Sequence, residues 1–210
     1  LQVIKYAEHV GRLYDVERAT FFNVLKCIED NKALFEGKKV FINSIPGNQL
    51  EGEDASLLAL KLQKFSSSVV VELTEQSEAD DAALERMKES FQRVGVETAV
   101  DDYGTGYSNI INLLRYAPNY VKIDRMLLTG IQDNLQKQHF VKSIIGFAHE
   151  NNFKALAEGV ETSQELETVI SLGVDLIQGY YTAKPNAEIV QAISEDIQNE
   201  ISNYFVKANA

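Results

Sequence analysis

The sequence predicts an α/β fold, a modified (β/α)8 TIM-type barrel whose first two strands are absent from this chain, with residues 1–210 forming a single, N-terminally incomplete barrel domain. Three observations predict it. Short runs rich in Val and Ile alternate with amphipathic segments from end to end, the pattern of parallel strands covered by helices on both faces. Most of these runs stop on one polar residue: Val40-Phe41-Ile42 in Asn43, Val69-Val70-Val71 in Glu72, Tyr120-Val121 in Lys122, Ala155-Leu156-Ala157 in Glu158 and Leu176-Ile177 in Gln178. Strand ends of this kind are where a barrel enzyme builds its site, at one mouth. Finally, about six strand–helix units in 210 residues fall short of the eight strands and roughly 250 residues of a closed barrel in step with each other. The two missing strands are expected ahead of Leu1. The strands at Lys39–Asn43 and Leu176–Gln178 are then expected to carry free edges that invite pairing.

Element by element, residues 1–36 read as helical, with Val16, Ala19, Val24 and Ile28 spaced for a buried stripe. The strand at Lys39–Asn43 leads to a helix near Ala55–Phe65. The strand at Val69–Leu73 leads to a helix near Glu78–Val94, with Leu84, Met87, Phe91 and Val94 on one face and Ser77 and Asp80 as its capping pair. Thr98–Asp101 leads to a short helix near Tyr107–Tyr116, and Tyr120–Ile123 to a long helix ending near Glu150. Lys154–Ala157 leads to a helix capped by Thr162 or Ser163, with Glu165 placed to reach back. Leu176–Gln178 leads to a last helix carrying Ile189, Val190, Ile193, Ile197 and Ile201.

Composition excludes several classes. Hydrophobic residues make up 45% of the chain, enough for a core and against disorder. No apolar run nears the roughly 20 residues that span a bilayer. The single cysteine, Cys27, rules out an intramolecular disulfide, fits a reducing compartment and is read as a small core residue. The expected location is the cytoplasm, including the cytoplasmic part of a membrane-bound sensor. A net charge of -11 argues against a nucleic-acid polymer as partner, while leaving a small phosphate ligand open where metal ions supply positive charge.

The densest signal is Asp101-Asp102, which closes one apolar run and opens the loop Tyr103-Gly104-Thr105-Gly106-Tyr107-Ser108. Adjacent carboxylates facing a glycine-rich loop are a metal-ligand arrangement more than a folding one. Plainer readings stand beside it. The pair could form a turn with local side-chain bonds, Asn43 could cap the turn after its strand, Lys122 could bridge to Asp124 on the same strand face, and Glu161 could be a charge favoured at a helix start. His9, His139 and His149 fall on helices and are assigned no chemistry.

Taken in order, Phe41-Ile42-Asn43, Glu72-Leu73-Thr74-Glu75, Asp101–Ser108, Lys122-Ile123-Asp124, Ala157-Glu158-Gly159-Val160-Glu161-Thr162 and Gln178-Gly179-Tyr180-Tyr181 with Lys184-Pro185 resemble the EAL-domain family, bacterial cyclic-di-GMP phosphodiesterases on a modified (β/α)8 barrel. The resemblance runs from about Val3 through essentially the whole chain. It implies that Asn43, Glu72 and Asp101 ligate a divalent metal, that Asp101 with Asp102 holds a second, and that Lys122 sits beside the attacking water and the scissile phosphate. It further implies that Glu158 is a metal ligand or general base and that Gln178 orients water at the metal. Glu75 and Glu161 would support the site and its loop, and Tyr103–Ser108, with Gly104 and Thr105, would couple metal binding to dimer contacts. Asp124 belongs with this supporting, substrate-side group. Hard oxygen donors of this kind select Mg²⁺ or Mn²⁺ over Zn²⁺. Two such ions, about 4 Å apart, clamp the attacking and leaving oxygens of a phosphodiester.

The sequence departs from that family in one major respect: it contains no Glu-Ala-Leu tripeptide. In the family this motif supplies a metal-ligating glutamate and a nearby phosphate-binding arginine. Smaller departures are Asn119 for a common aspartate, Tyr103 for a common phenylalanine, and Ile45 where serine is often found after the metal-binding asparagine. The expected function is metal-dependent hydrolysis of cyclic-di-GMP to linear pGpG by the parent protein, as a homodimer or joined to regulatory domains. A cyclic-di-GMP sensor without turnover and a scaffold dimerising through the Asp102–Ser108 loop are the alternatives.

Overall fold

The computed structural model describes residues 2–45, 47–74, 81–104 and 110–208. In chain order these form α1 (Gln2–His9), α2 (Leu13–Asp30), α3 (Lys32–Phe35), β1 (Val40–Asn43), α4 (Gly52–Lys64), β2 (Val69–Thr74), α5 (Asp81–Arg93), β3 (Glu97–Tyr103), α6 (Ile110–Tyr116), β4 (Tyr120–Ile123), α7 (Arg125–Leu128), a 3₁₀ turn (Ile131–Asp133), α8 (Leu135–Glu150), β5 (Lys154–Glu158), α9 (Ser163–Ser171), β6 (Leu176–Gln178) and α10 (Glu195–Ala208). The strand order is β1-β2-β3-β4-β5-β6, so β1 and β6 end it, as expected. The Ser77–Asp80 cap, Glu75 and Thr105 lie outside the described residues.

The chain forms two compact units. The first holds residues 1–99 and 114–116, the second 100–113 and 117–210. In the first, β1 and β2 run parallel with Val40 opposite Val69 and Asn43 opposite Glu72. Residues 69–71 are fully buried, as strands covered on both faces require. α2 packs against β1 and α4 and buries Phe21, Leu25 and Ile28. That stripe shares Ile28 with the expected one and differs in the rest: Ala19 is exposed, while Val16 and Val24 are half-buried. The expected helix over 1–36 is also broken, at Gly11, whose φ of 68° ends the first helical stretch.

Glu17 continues the buried stripe of α2 at 2% exposure. Its Oε1 accepts the Ser44 hydroxyl at 2.6 Å and its Oε2 accepts the Ile45 N–H at 2.8 Å.

In the second unit β4 pairs in parallel with β5, and β5 with β6, in registers that place Lys122 opposite Leu156 and Glu158 opposite Gln178. α8 covers this sheet with Val141, Ile144, Ile145 and Ala148. α9 opens on a capping box in which Thr162 accepts the Glu165 N–H and Glu165 reaches back. The last helix is shorter than expected, because Ile189, Val190 and Ile193 precede it. The Asn186 side chain draws the Glu188 N–H into a local turn, which competes with helix. The helix begins only after Ser194, where Glu195 and Asp196 favour its N-terminal dipole.

Burial pushes the Glu17 carboxyl above the ordinary glutamate range, against the hydrogen bonds from Ser44 and Ile45 that favour its charged form. The native state therefore keeps this proton to a higher pH than the unfolded chain. Stability from this group is present below the ordinary glutamate pKa and is lost as pH rises through the raised native value. Glu17→Gln is expected to flatten that fall in thermal midpoint across a pH series followed by calorimetry.

Candidate active site

Two adjacent strand residues normally point to opposite faces. Asp101 and Asp102 escape this because Asp102 takes a left-handed backbone, φ 55°, which aspartate tolerates better than most residues. The strand's alternation is reset there. One carboxylate oxygen from each of Asp101, Asp102 and Glu158 then falls within 4.8 Å of the others.

Lys122, at 2% exposure, is the cation beside them. Its Nζ lies 2.6 Å from Asp101 Oδ1 and 3.1 Å from Glu158 Oε2. The Asp124 carboxylate, the plainer partner weighed for Lys122, caps α7 by accepting the Met126 N–H at 2.7 Å. Asp101 Oδ1 and Glu158 Oε2 are buried, and among the described residues the Lys122 ammonium is the group that faces them. Burial first, and then the Asp101 charge, push Glu158 above the usual carboxylate range against the pull of Lys122. Asp102 is raised likewise, by burial and by the Asp101 and Asp124 charges. Three carboxylates gather around one ammonium, which faces two of them. This donor set fits a hard divalent cation.

The segments after β4, β5 and β6 border Glu158 of this cluster. A Cβ on Gly104, φ 109°, would lie 2.2 Å from Leu127 Cδ1. The N–H groups of Gly159 and Val160 donate to the Gln178 carbonyl at 2.7 and 3.2 Å. These bonds bring the loops so close that a Cβ on Gly179 would lie 2.1 Å from the Val160 carbonyl oxygen. Glu161 forms a two-pronged pair with Arg125, at 2.8 and 2.9 Å, tying the loop after β4 to the loop after β5. Glu165 accepts the N–H groups of Gly130, Glu161 and Thr162. A cavity of about 490 Å³ opens here, lined by Glu158, Gln178, Arg125, Glu161 and Tyr180 among others.

Of the expected site residues, the second unit thus gathers Asp101, Asp102, Lys122 and Glu158, with Gln178 opposite Glu158 at the end of β6 and Asp124, Gly104 and Glu161 in the segments after their strands. In the first unit Asn43, at the end of β1, lies opposite Glu72, two residues before the end of β2; Asn43 is exposed and Glu72 is buried at 4% exposure. Sequence reasoning missed Glu17 and Arg125. Glu17 had a signal, an acid four and eight residues before the apolar Phe21 and Leu25. Arg125 had only its place directly after Asp124.

Residues 2–185 match the EAL domain. Over 161 residues, 75% of this chain, the sequence is 32% identical to the probable cyclic di-GMP phosphodiesterase PdeN of Escherichia coli K12, of whose length it spans 31%. The fold superposes with a TM-score of 0.77 on a standalone versatile EAL protein from Vibrio cholerae O395 in its c-di-GMP bound form, at 28% identity over 93% of this chain and 84% of that one. A manganese/cyclic-di-GMP complex of Klebsiella pneumoniae BlrP1 aligns with a TM-score of 0.73 at 27% identity, over 86% of this chain and 47% of that one. The chain spans about a third of the length of the curated relatives it matches. The expected fold class stands: parallel strands and helices of a TIM-type barrel, six strands of it among the described residues. A divalent metal is the group that both the carboxylate cluster and the manganese-bound relative support.

The close approach of these loops leaves no room at Gly179. Gly179→Ala is expected to cost about 1–3 kcal/mol in urea unfolding, whereas Gly146→Ala, in open space on α8, is expected to gain up to about 1 kcal/mol. Lys122→Met leaves buried carboxylates uncompensated and is expected to lose about 3 kcal/mol without metal. Added Mn²⁺ should restore part of that loss in thermal unfolding.

Proposed function

Because this chain belongs to the EAL-domain family, we propose that it carries the metal-dependent hydrolysis of cyclic-di-GMP to linear pGpG in bacterial second-messenger signalling. The observation that carries the reading is the buried Lys122 held between Asp101 and Glu158, with Asp102 turned by its backbone into the same cluster. Residues 1–210 act as one EAL-like barrel domain of a longer cytoplasmic or membrane-anchored protein, as a homodimer or under regulatory domains. No helix among the described residues is long and apolar enough to cross a membrane.

In this reading the metal ligands are Asp101, Asp102 and Glu158 in the second unit and Asn43 and Glu72 in the first. Two Mg²⁺ or Mn²⁺ ions would supply the positive charge that lets an anionic phosphodiester enter an acidic protein, together with Lewis acidity at its phosphorus. Lys122 presents an ammonium to the non-bridging oxygens, where negative charge gathers as water attacks. Glu158, whose carboxyl burial holds above its usual range, takes the proton of the attacking water. The new bond joins the water oxygen to phosphorus, the bond from phosphorus to the 3′ oxygen breaks, and the proton ends on that leaving oxygen. Gln178 orients the water. Arg125, fixed by Glu161, and Tyr180 line the adjoining cavity.

A second reading, a cyclic-di-GMP sensor without turnover, is favoured by one observation: residues 1–210 contain no Glu-Ala-Leu tripeptide. Incubating the protein with cyclic-di-GMP and Mn²⁺ and following products by chromatography separates the two. Linear pGpG is expected, with its formation lost on chelation and regained with added Mn²⁺. Asp101→Ala should abolish turnover and lower the thermal midpoint, since it deprives the buried Lys122 of one partner, while the circular dichroism spectrum still shows the folded protein. Tight binding with no product would establish the sensor instead.

A further inference from the structure

β1 ends on Asn43, and the two residues after it are anchored by a single side chain. Ser44 is buried, and its N–H donates to the Glu72 carbonyl at 3.1 Å. The Ser44 hydroxyl and the Ile45 N–H then go to the two oxygens of Glu17, at 2.6 and 2.8 Å. Ile45 precedes Pro46. A residue before proline is confined to extended backbone, so this exit has few ways to adjust.

Glu17 is costly where it stands. It lies in a stripe whose other members are Phe21, Leu25 and Ile28, and a carboxyl there gives up its hydration. A leucine would suit the stripe better, and there is room for one. Glu17 borders a cavity of about 180 Å³ walled by Leu58, Leu62 and Phe91. Core packing therefore gives no reason for an acid at this position. Both of its oxygens are spent on the two residues immediately after Asn43.

We infer that Glu17 is a positioning residue for Asn43: by gripping the backbone that leaves β1, it sets where the Asn43 amide oxygen is offered to a divalent cation. The inference rests on the reading of Asn43 as a metal ligand. It assigns to α2 a part in the site that the strand-end residues do not reveal. Residues that orient a metal ligand from behind typically change metal affinity by about 10–100-fold when removed.

The test is Mn²⁺ titration calorimetry on the protein without cyclic-di-GMP, alongside thermal unfolding. Glu17→Leu is expected to hold or raise the thermal midpoint while weakening Mn²⁺ binding on the order of tenfold. Glu17→Gln should recover most of the affinity, because its amide oxygen still accepts from Ile45 and its nitrogen donates to the Ser44 hydroxyl. Ser44→Ala should lose a few-fold, and it decides the matter should Glu17→Leu not fold. Asn43→Ala separates the positioning role from the ligand role. If it weakens Mn²⁺ binding while Glu17→Leu and Ser44→Ala do not, the positioning role is overturned and Asn43 keeps its place. If Asn43→Ala binds Mn²⁺ as the unaltered protein does, both fall.

Discussion

A lysine buried at the middle of a sheet needs a reason, and Lys122 has two of them within 3.1 Å, Asp101 and Glu158. An ammonium deprived of water is tolerable only beside negative charge. Those carboxylates are tolerable only because the ammonium is there. The three positions lie on β3, β4 and β5, so the electrostatic requirement and the strand order of the second unit support each other. Charge nevertheless remains unbalanced, since Asp102 adds a third carboxylate to the cluster. A fold selected for stability alone would fill this place with apolar side chains. The excess negative charge reads as the imprint of a cation.

Around that centre the fold spends its special backbone on closeness. Gly104, Gly159 and Gly179 each stand where a side chain would collide with a neighbouring loop. The Gln178 carbonyl receives two N–H groups from the loop after β5, and Glu165 gathers three more from the turns around α9. The loops bordering the carboxylates are thus stitched to one another by main-chain bonds, which suits a site that must keep several oxygens in fixed relation.

Much of this was legible in the sequence, for identifiable reasons. Polar residues closing apolar runs marked Asn43, Glu158 and Gln178 as strand ends and put Glu72, Asp101 and Lys122 within two residues of theirs, because a Val- or Ile-rich run has few other reasons to stop on a charge. Thr162 and Glu165 announced their capping box by spacing alone. The features that stayed hidden depend on backbone angles or on partners distant in the chain. Period-two reasoning would send Asp102 away from Asp101, and only its positive φ reverses that. The particular partners of Lys122, on β3 and β5, cannot be ranked from spacing, so a local bridge to Asp124 stood beside the site reading. Glu17 went unnoticed because the apolar spacing read on α2 ran through Val16, Ala19 and Val24, whereas the buried stripe runs through Phe21 and Leu25. The start of α10 was misplaced because the apolar spacing of Ile189, Val190 and Ile193 is helical, while the Asn186 turn that overrides it is a side-chain effect.

The left-handed Asp102 also makes charge and geometry separable at that position. An aliphatic or branched replacement would resist the backbone it inherits and pull the end of β3 toward ordinary pleating, displacing Asp101 as a secondary consequence. Asparagine accepts the same dihedral angles and is nearly isosteric. It therefore offers a way to subtract one unit of negative charge from the cluster while its neighbours keep their coordinates, a handle for learning how many charges the bound cation requires.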